Sequence, residues 1–147
     1  MRITGCELRH CNAGWRDFSF LKLTTDENII GIAEFNECYG SPGLSGVIRR
    51  LVDRIKDMDA IAHERIHQYL YAATRQAPGG DNQQAIAAIE NALLDIKGKA
   101  FNVPVYDLLG ELSDRKSQYT GAIAGHISYA PKLRNCAVLN PCKPLMI

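Results

Sequence analysis

The chain has 147 residues, an apolar fraction of 46%, a charged fraction of 22% and a formal charge of +1. Those values suit one globular domain with a short appendage, and they give no electrostatic footprint for nucleic acid or an anionic membrane. No uninterrupted apolar run approaches the ~20 residues of a membrane span and the N-terminus has no signal-like apolar core, so the expected location is the cytoplasm.

The first third reads as strands. Residues 2–10, 17–25 and 29–35 are short segments rich in Ile, Leu, Phe and Thr. Thr25-Asp26-Glu27-Asn28 suits a tight hairpin turn, and the Asn and Gly of residues 11–16 favour a loop between the first two strands. In the third segment Ile29, Gly31, Ala33 and Phe35 alternate with Ile30, Ile32 and Glu34, so one face is fully apolar and the other partly so. A three-stranded antiparallel sheet is expected.

Helices follow. Gly40-Ser41-Pro42-Gly43 breaks the chain, and Val47, Ile48, Leu51, Val52, Ile55 and Met58 then recur at helical spacing. A second helix is expected over about 60–76, with Ile61, Ile66, Leu70 and Ala73 as its stripe, ending at the breaker Ala77-Pro78-Gly79-Gly80. The third has the strongest pattern. Asp81 or Asn82 is its expected cap, Ile86, Ile89, Leu93 and Ile96 its stripe, and Ala85, Ala88 and Ala92 a small face for close packing. Asn102 suits a left-handed C-cap, and Pro104 starts a short helix through Leu109 that Gly110 ends.

The character changes after residue 115. Residues 1–115 hold 13 basic and all 16 acidic residues, whereas 116–147 hold four bases, no acid and three of the six prolines. Residues 119–127 could form one strand, and the remainder has no sustained period.

Order and motif together carry a family resemblance over residues 1–115. The stretch from Asp95 through Lys97-Gly98-Lys99 to Pro104 and Gly110 resembles the helix-to-barrel junction of mandelate racemase/muconate lactonizing enzymes. Residues 88–96 are similar to the preceding helix of that family, and Gly31-Ile32-Ala33-Glu34-Phe35 to its G-x-x-E strand. The resemblance implies an α+β capping domain, a three-stranded antiparallel sheet followed by three to four helices, without the (β/α) barrel. It further implies that two loops close over the barrel mouth and help choose the substrate. In intact members the barrel supplies Mg²⁺ ligands and acid/base groups for removing a proton α to a carboxylate, followed by racemisation, cycloisomerisation or acid-sugar dehydration. Only 37 residues follow Gly110, against ~200 or more for a barrel. The expectation is therefore a cap truncated or frame-shifted before the barrel (residues 1–115, then an irregular tail 116–147 with at most a first barrel strand), inactive alone, without a catalytic residue, metal ligand or cofactor of its own.

On that resemblance Trp15, Arg16 and Asp17 fall in the first lid-like loop and Glu37, Cys38 and Tyr39 in the second. An aromatic beside a guanidinium suits closure over a carboxylate or polyhydroxy substrate; ordinary loop packing is the alternative. Four other clusters compete. Cys6, His10, Cys11 and Cys38 match no usual zinc spacing, and the five cysteines are expected as free thiols. Asp17, Glu34 and Glu37 could form a carboxylate cluster, although an isolated cap offers few converging oxygens. Lys97 and Lys99 imitate a K-x-K acid/base pair but sit at a helix end, where bases complement the dipole and stay solvated. His63-Glu64-Arg65-Ile66-His67 matches H-E-x-x-H, lacking a third ligand. Three functions remain open: an inert cap, an interaction module pairing with another chain such as a full-length homologue or a second copy, and a small zinc hydrolase using His63, Glu64 and His67.

Overall fold

A computed structural model describes residues 1–38 and 41–110. Tyr39 and the strand expected within 119–127 lie outside the described residues. The order is β1 (Ile3–Asn12), β2 (Asp17–Thr25), β3 (Ile30–Phe35), α1 (Leu44–Ile55), α2 (His63–Ala73), α3 (Gly80–Phe101) and α4 (Val105–Leu109). The sheet is an antiparallel meander in the order β1-β2-β3, with Leu8 opposite Leu21 and Leu21 opposite Ala33.

Two-residue periodicity separates the faces of the sheet. Leu21, Leu23, Ala33 and Phe35 are buried on the inner face. Phe18, Phe20 and Lys22 of β2 lie on the other face with Ile30, Ile32 and Glu34 of β3, and there Ile32 is 53% exposed. In the β2–β3 turn Asn28 takes a positive φ of 62°, and the Thr25 hydroxyl both donates to Ile29 O (2.9 Å) and accepts from Ile29 N (3.1 Å). The first strand is longer than its composition predicts, running to Asn12 because Cys11 and Asn12 still pair with Phe18 and Asp17.

The helices cover the inner face. Leu44, Ile48, Leu51, Val52 and Ile55 of α1 are buried, as are Ile66 and Leu70 of α2. The long α3 buries Ile86, Ile89, Leu93 and Ile96 together with Ala85, Ala88 and Ala92. Its small face lets the backbone lie against β3: a Cβ on Gly31 would stand 2.1 Å from the Ala92 carbonyl oxygen. The start of α3 corrects the expected cap. Gly79 (φ 87°) and Gly80 (φ 51°) make the turn, leaving Asp81 and Asn82 within the first helical turn, where Asn82 Nδ2 donates back to Ala77 O at 2.9 Å. The end of α3 agrees with expectation. Asn102 is left-handed (φ 55°, ψ 40°), and Val103 N reaches Gly98 O at 2.9 Å, so the last carbonyls find donors.

Candidate functional site

Both loops singled out in the sequence lie at one end of the sheet, because β1 delivers the chain into residues 13–16 and β3 leaves Phe35 opposite Ser19 near the start of β2. The first loop is tightened by Asn12. Its Oδ1 accepts from Gly14 N at 2.8 Å, its Nδ2 donates to Asp17 Oδ1, and Ala13 N donates to Arg16 O at 2.9 Å. Such an Asx turn, with Gly14 at φ 88°, is local side-chain chemistry.

This turn presents Trp15 and Arg16. Trp15 is 70% exposed, its ring edge-on to Phe18 at 5.9 Å between centroids. The Arg16 guanidinium lies 4.8 Å from the centre of the Phe18 ring, and its Nη2 is 3.2 Å from Glu34 Oε1. The G-x-x-E strand thereby acquires two physical reasons, Gly31 for the close approach of α3 and Glu34 for holding Arg16. Arg16 Nε is buried with no hydrogen-bond partner among the described residues.

The second loop is tied to α1. That helix begins at a left-handed Gly43 with no side-chain cap and no acid in its first turn. Glu37 fills the deficit from outside the helix, accepting Ser45 N at 3.2 Å through Oε1 and the Ser45 hydroxyl through Oε2. Carboxylate at a helix N-terminus is favourable because the first N–H groups lack helical partners. His10 on β1 lies beside it, Nε2 being 3.3 Å from Ser45 Oγ and 3.8 Å from Glu37 Oε2, with Nδ1 2.9 Å from Ser19 Oγ. Among the described residues, Cys38 Sγ joins the two loops by donating to the Asp17 carbonyl at 3.2 Å. Ser45 was not anticipated, His10 was considered only as a zinc candidate, and Asn12 only as a loop former. The Asn12/Gly14 spacing was a readable turn signal, whereas His10 and Ser45 become relevant only through the fold.

The competing clusters do not assemble. Glu34 is on the outer sheet face with Arg16, while Glu37 is at the α1 terminus. Cys11 pairs with Phe18 and so points opposite to His10, which pairs with Ser19; the zinc quartet is split across the sheet. On α2, His67 Nδ1 is 3.0 Å from Glu90 Oε2 and its ring stacks on Tyr71. His63 Nδ1 instead lies 3.3 Å from the Lys97 ammonium and its Nε2 lies 3.7 Å from Glu64 Oε1. Among the described residues no three His, Cys, Asp or Glu side chains are placed to hold a metal, so they do not supply the third ligand that His63 and His67 would need. The described residues likewise do not fit a magnesium centre. Lys99, exposed in the last turn of α3, also donates to Asp95 Oδ2 at 2.6 Å and to Ile30 O at 2.7 Å, while Lys97 is half-buried. No helix among the described residues is long and apolar enough to cross a membrane.

Comparison with known proteins agrees with this architecture. Residues 11–110 match the model of the mandelate racemase/muconate lactonizing enzyme N-terminal domain. A D-galactonate dehydratase of Xanthomonas axonopodis pv. citri is 36% identical over 127 residues, covering 81% of this chain and 31% of the relative. That of Pectobacterium atrosepticum is 40% identical over 100 residues, covering 63% and 24%. Among solved structures, a Burkholderia xenovorans LB400 protein provisionally named an L-alanine-DL-glutamate epimerase is 47% identical with a TM-score of 0.74, covering 78% of this chain and 29% of that one. It has also been solved with magnesium and fumarate. The 3,6-anhydro-D-galactonate cycloisomerase of Zobellia galactanivorans is 30% identical with a TM-score of 0.71, covering 78% and 33%. The chain thus spans about three-tenths of the length of the curated dehydratases that match over 127 residues. Fold, motif and matched residues agree, and the chain belongs to the mandelate racemase/muconate lactonizing enzyme family of the enolase superfamily, whose N-terminal domain it contains.

Proposed function

We propose that this domain is the substrate-selecting cap of an enzyme that removes a proton α to a carboxylate, acting in the acid-sugar dehydratase or racemase class. The observation that carries this reading is the convergence of the two loops at one end of the sheet, where Cys38 Sγ meets the Asp17 carbonyl at 3.2 Å. Trp15 and Arg16 supply the recognition chemistry. An exposed indole offers an apolar lid to a sugar chain, and a guanidinium offers paired donors to a carboxylate or hydroxyls. Asp17 would present an acceptor for hydroxyl groups, and Glu37 and Tyr39 belong to the second loop. The magnesium and the acid/base groups would come from a barrel supplied with the domain, in the same polypeptide or by another chain such as a full-length homologue. The dehydratase relatives favour acid sugars over other carboxylates.

A chimera tests this. Residues 1–110 replace the corresponding domain of the Xanthomonas dehydratase, and kcat/KM is measured for D-galactonate and for a panel of other acid sugars. The expected result is retained α-proton abstraction with an altered ranking of substrates, and a rise in KM of about tenfold on Arg16→Ala, the scale of one charge-assisted hydrogen bond. A ranking unchanged from the parent and indifferent to Arg16→Ala would overturn the reading.

A further inference from the structure

Glu37 is the loop residue whose carboxylate is most fully engaged within the fold. Both of its oxygens are taken by Ser45, one by the backbone N–H and one by the hydroxyl. The same hydroxyl is 3.3 Å from His10 Nε2, and the other ring nitrogen is 2.9 Å from Ser19 Oγ. The His10 ring also stands edge-on to Phe35 at 6.0 Å, at the end of β3 where the second loop departs. Glu37 therefore joins the loop, the N-terminal turn of α1 and the inner face of β1 and β2. Two residues beyond His10, Asn12 organises the first loop, and one residue beyond Glu37, Cys38 bonds to the Asp17 carbonyl.

We propose that Glu37, with Ser45 and His10, is a positioning residue that locks the second loop and, through Cys38 and Asp17, couples its order to that of the first, rather than a group that touches substrate. This rests on the reading of the two loops as substrate-selecting and refines it: a substrate group would have to displace a partly buried helix-capping interaction to reach the Glu37 carboxylate, whereas Trp15 is 70% exposed. A cap carboxylate is favoured where a helix has none of its own, and it adds to the local turn in which Asn36 Oδ1 accepts Cys38 N at 3.1 Å.

Amide hydrogen exchange on the 147-residue chain, read per residue by NMR, tests the coupling without substrate, so its failure is distinguishable from failure of the functional reading. Glu37→Ala is expected to speed exchange by about tenfold in the first turn of α1 and in residues 36–38, the cost of one charge-assisted bond. A smaller acceleration is expected in the 13–17 loop, with α3 unchanged. Ser45→Ala should reproduce part of the effect and Ser45→Thr, which keeps the hydroxyl, should restore protection. The His10 ring nitrogen shifts should move in Glu37→Ala and Ser45→Ala. Unchanged exchange in both loops would overturn the proposal, as would acceleration in the second loop that never reaches the first. Equal acceleration throughout α3 would do the same, since it would report global destabilisation, and failure of Ser45→Thr to rescue would remove the hydroxyl from the lock.

Discussion

The place of a side chain on Gly31 is already occupied by the Ala92 carbonyl. A methyl group there forces α3 away from β3, and overpacking of this kind typically costs about 1–3 kcal/mol. Gly31→Ala should lower the urea midpoint accordingly, while alanine at Gly46, where nothing stands within 4 Å, should not. Two titrating groups make separate statements. Burial, then the Asp53 charge, pushes the Cys6 thiol up, so at pH 8 Cys6 should alkylate more slowly than the exposed Cys11 and Cys38. Hydrogen bonds from Arg9 and then Lys22 hold Glu7 below its ordinary value. A depressed carboxylate contributes stability above its unfolded-state pKa and loses it as pH falls through the folded value. Glu7→Gln should therefore flatten the acid limb of the stability profile below about pH 4.5; an unchanged limb would remove the pair from the account. The residue scale was the least legible in sequence. Gly31 could be read as part of a motif, but its reason lies 61 residues away, and Glu37 reads as a loop charge until α1 is seen to start without a cap.

At the scale of elements the pattern was mostly sufficient. Alternation in β3, the polar hairpin turn after β2 and the apolar stripe of α3 each emerge where period and turn chemistry agree. The expected bounds of α1 and α2 were too long, Met58 lying beyond α1 and α2 spanning His63–Ala73, and two further boundaries were misread for local reasons. Asparagine at position 12 suggests a loop, yet its backbone continues the ladder while its side chain makes the turn. Asp81 and Asn82 have capping chemistry, yet two glycines with positive φ start the helix ahead of them. What no period reveals is how β3 is protected as an edge. Asp95 Oδ2 accepts Ile32 N at 2.9 Å and Lys99 Nζ donates to Ile30 O, so α3 satisfies strand groups that would otherwise recruit another strand. Asp95→Ala should lower stability by about 0.5–1.5 kcal/mol through loss of the solvent-exposed bonds to Ile32 N and Lys99, measured by denaturant titration. At the other end of α3, Asn102→Ala should cost about 1 kcal/mol because alanine keeps the Cβ that opposes the left-handed backbone but loses the amide that offsets it, and Asn102→Gly, which removes the Cβ, should not.

For the whole molecule, the described residues bury one continuous core from Ile3 to Ile96 and leave Phe101, Tyr106 and Leu109 exposed around the end of α3 and α4, Leu109 by 71%. Exposed apolar side chains gathered in one region favour association, so sedimentation should show self-association that grows with concentration; a stable monomer at all concentrations would count against that. The family's chemistry needs converging carboxylates around a metal, and residues 1–110 place theirs elsewhere, Glu34 on Arg16, Glu37 on Ser45 and Glu90 on His67. The proposed function accordingly gives recognition to this domain and proton abstraction to a barrel. The most direct measurement is Mg²⁺-dependent α-proton exchange in D₂O by the purified 147-residue chain, across acid sugars and 2-hydroxy acids. No exchange with any substrate is predicted; reproducible exchange abolished by a chelator would place a complete reaction centre within these residues and contradict the account.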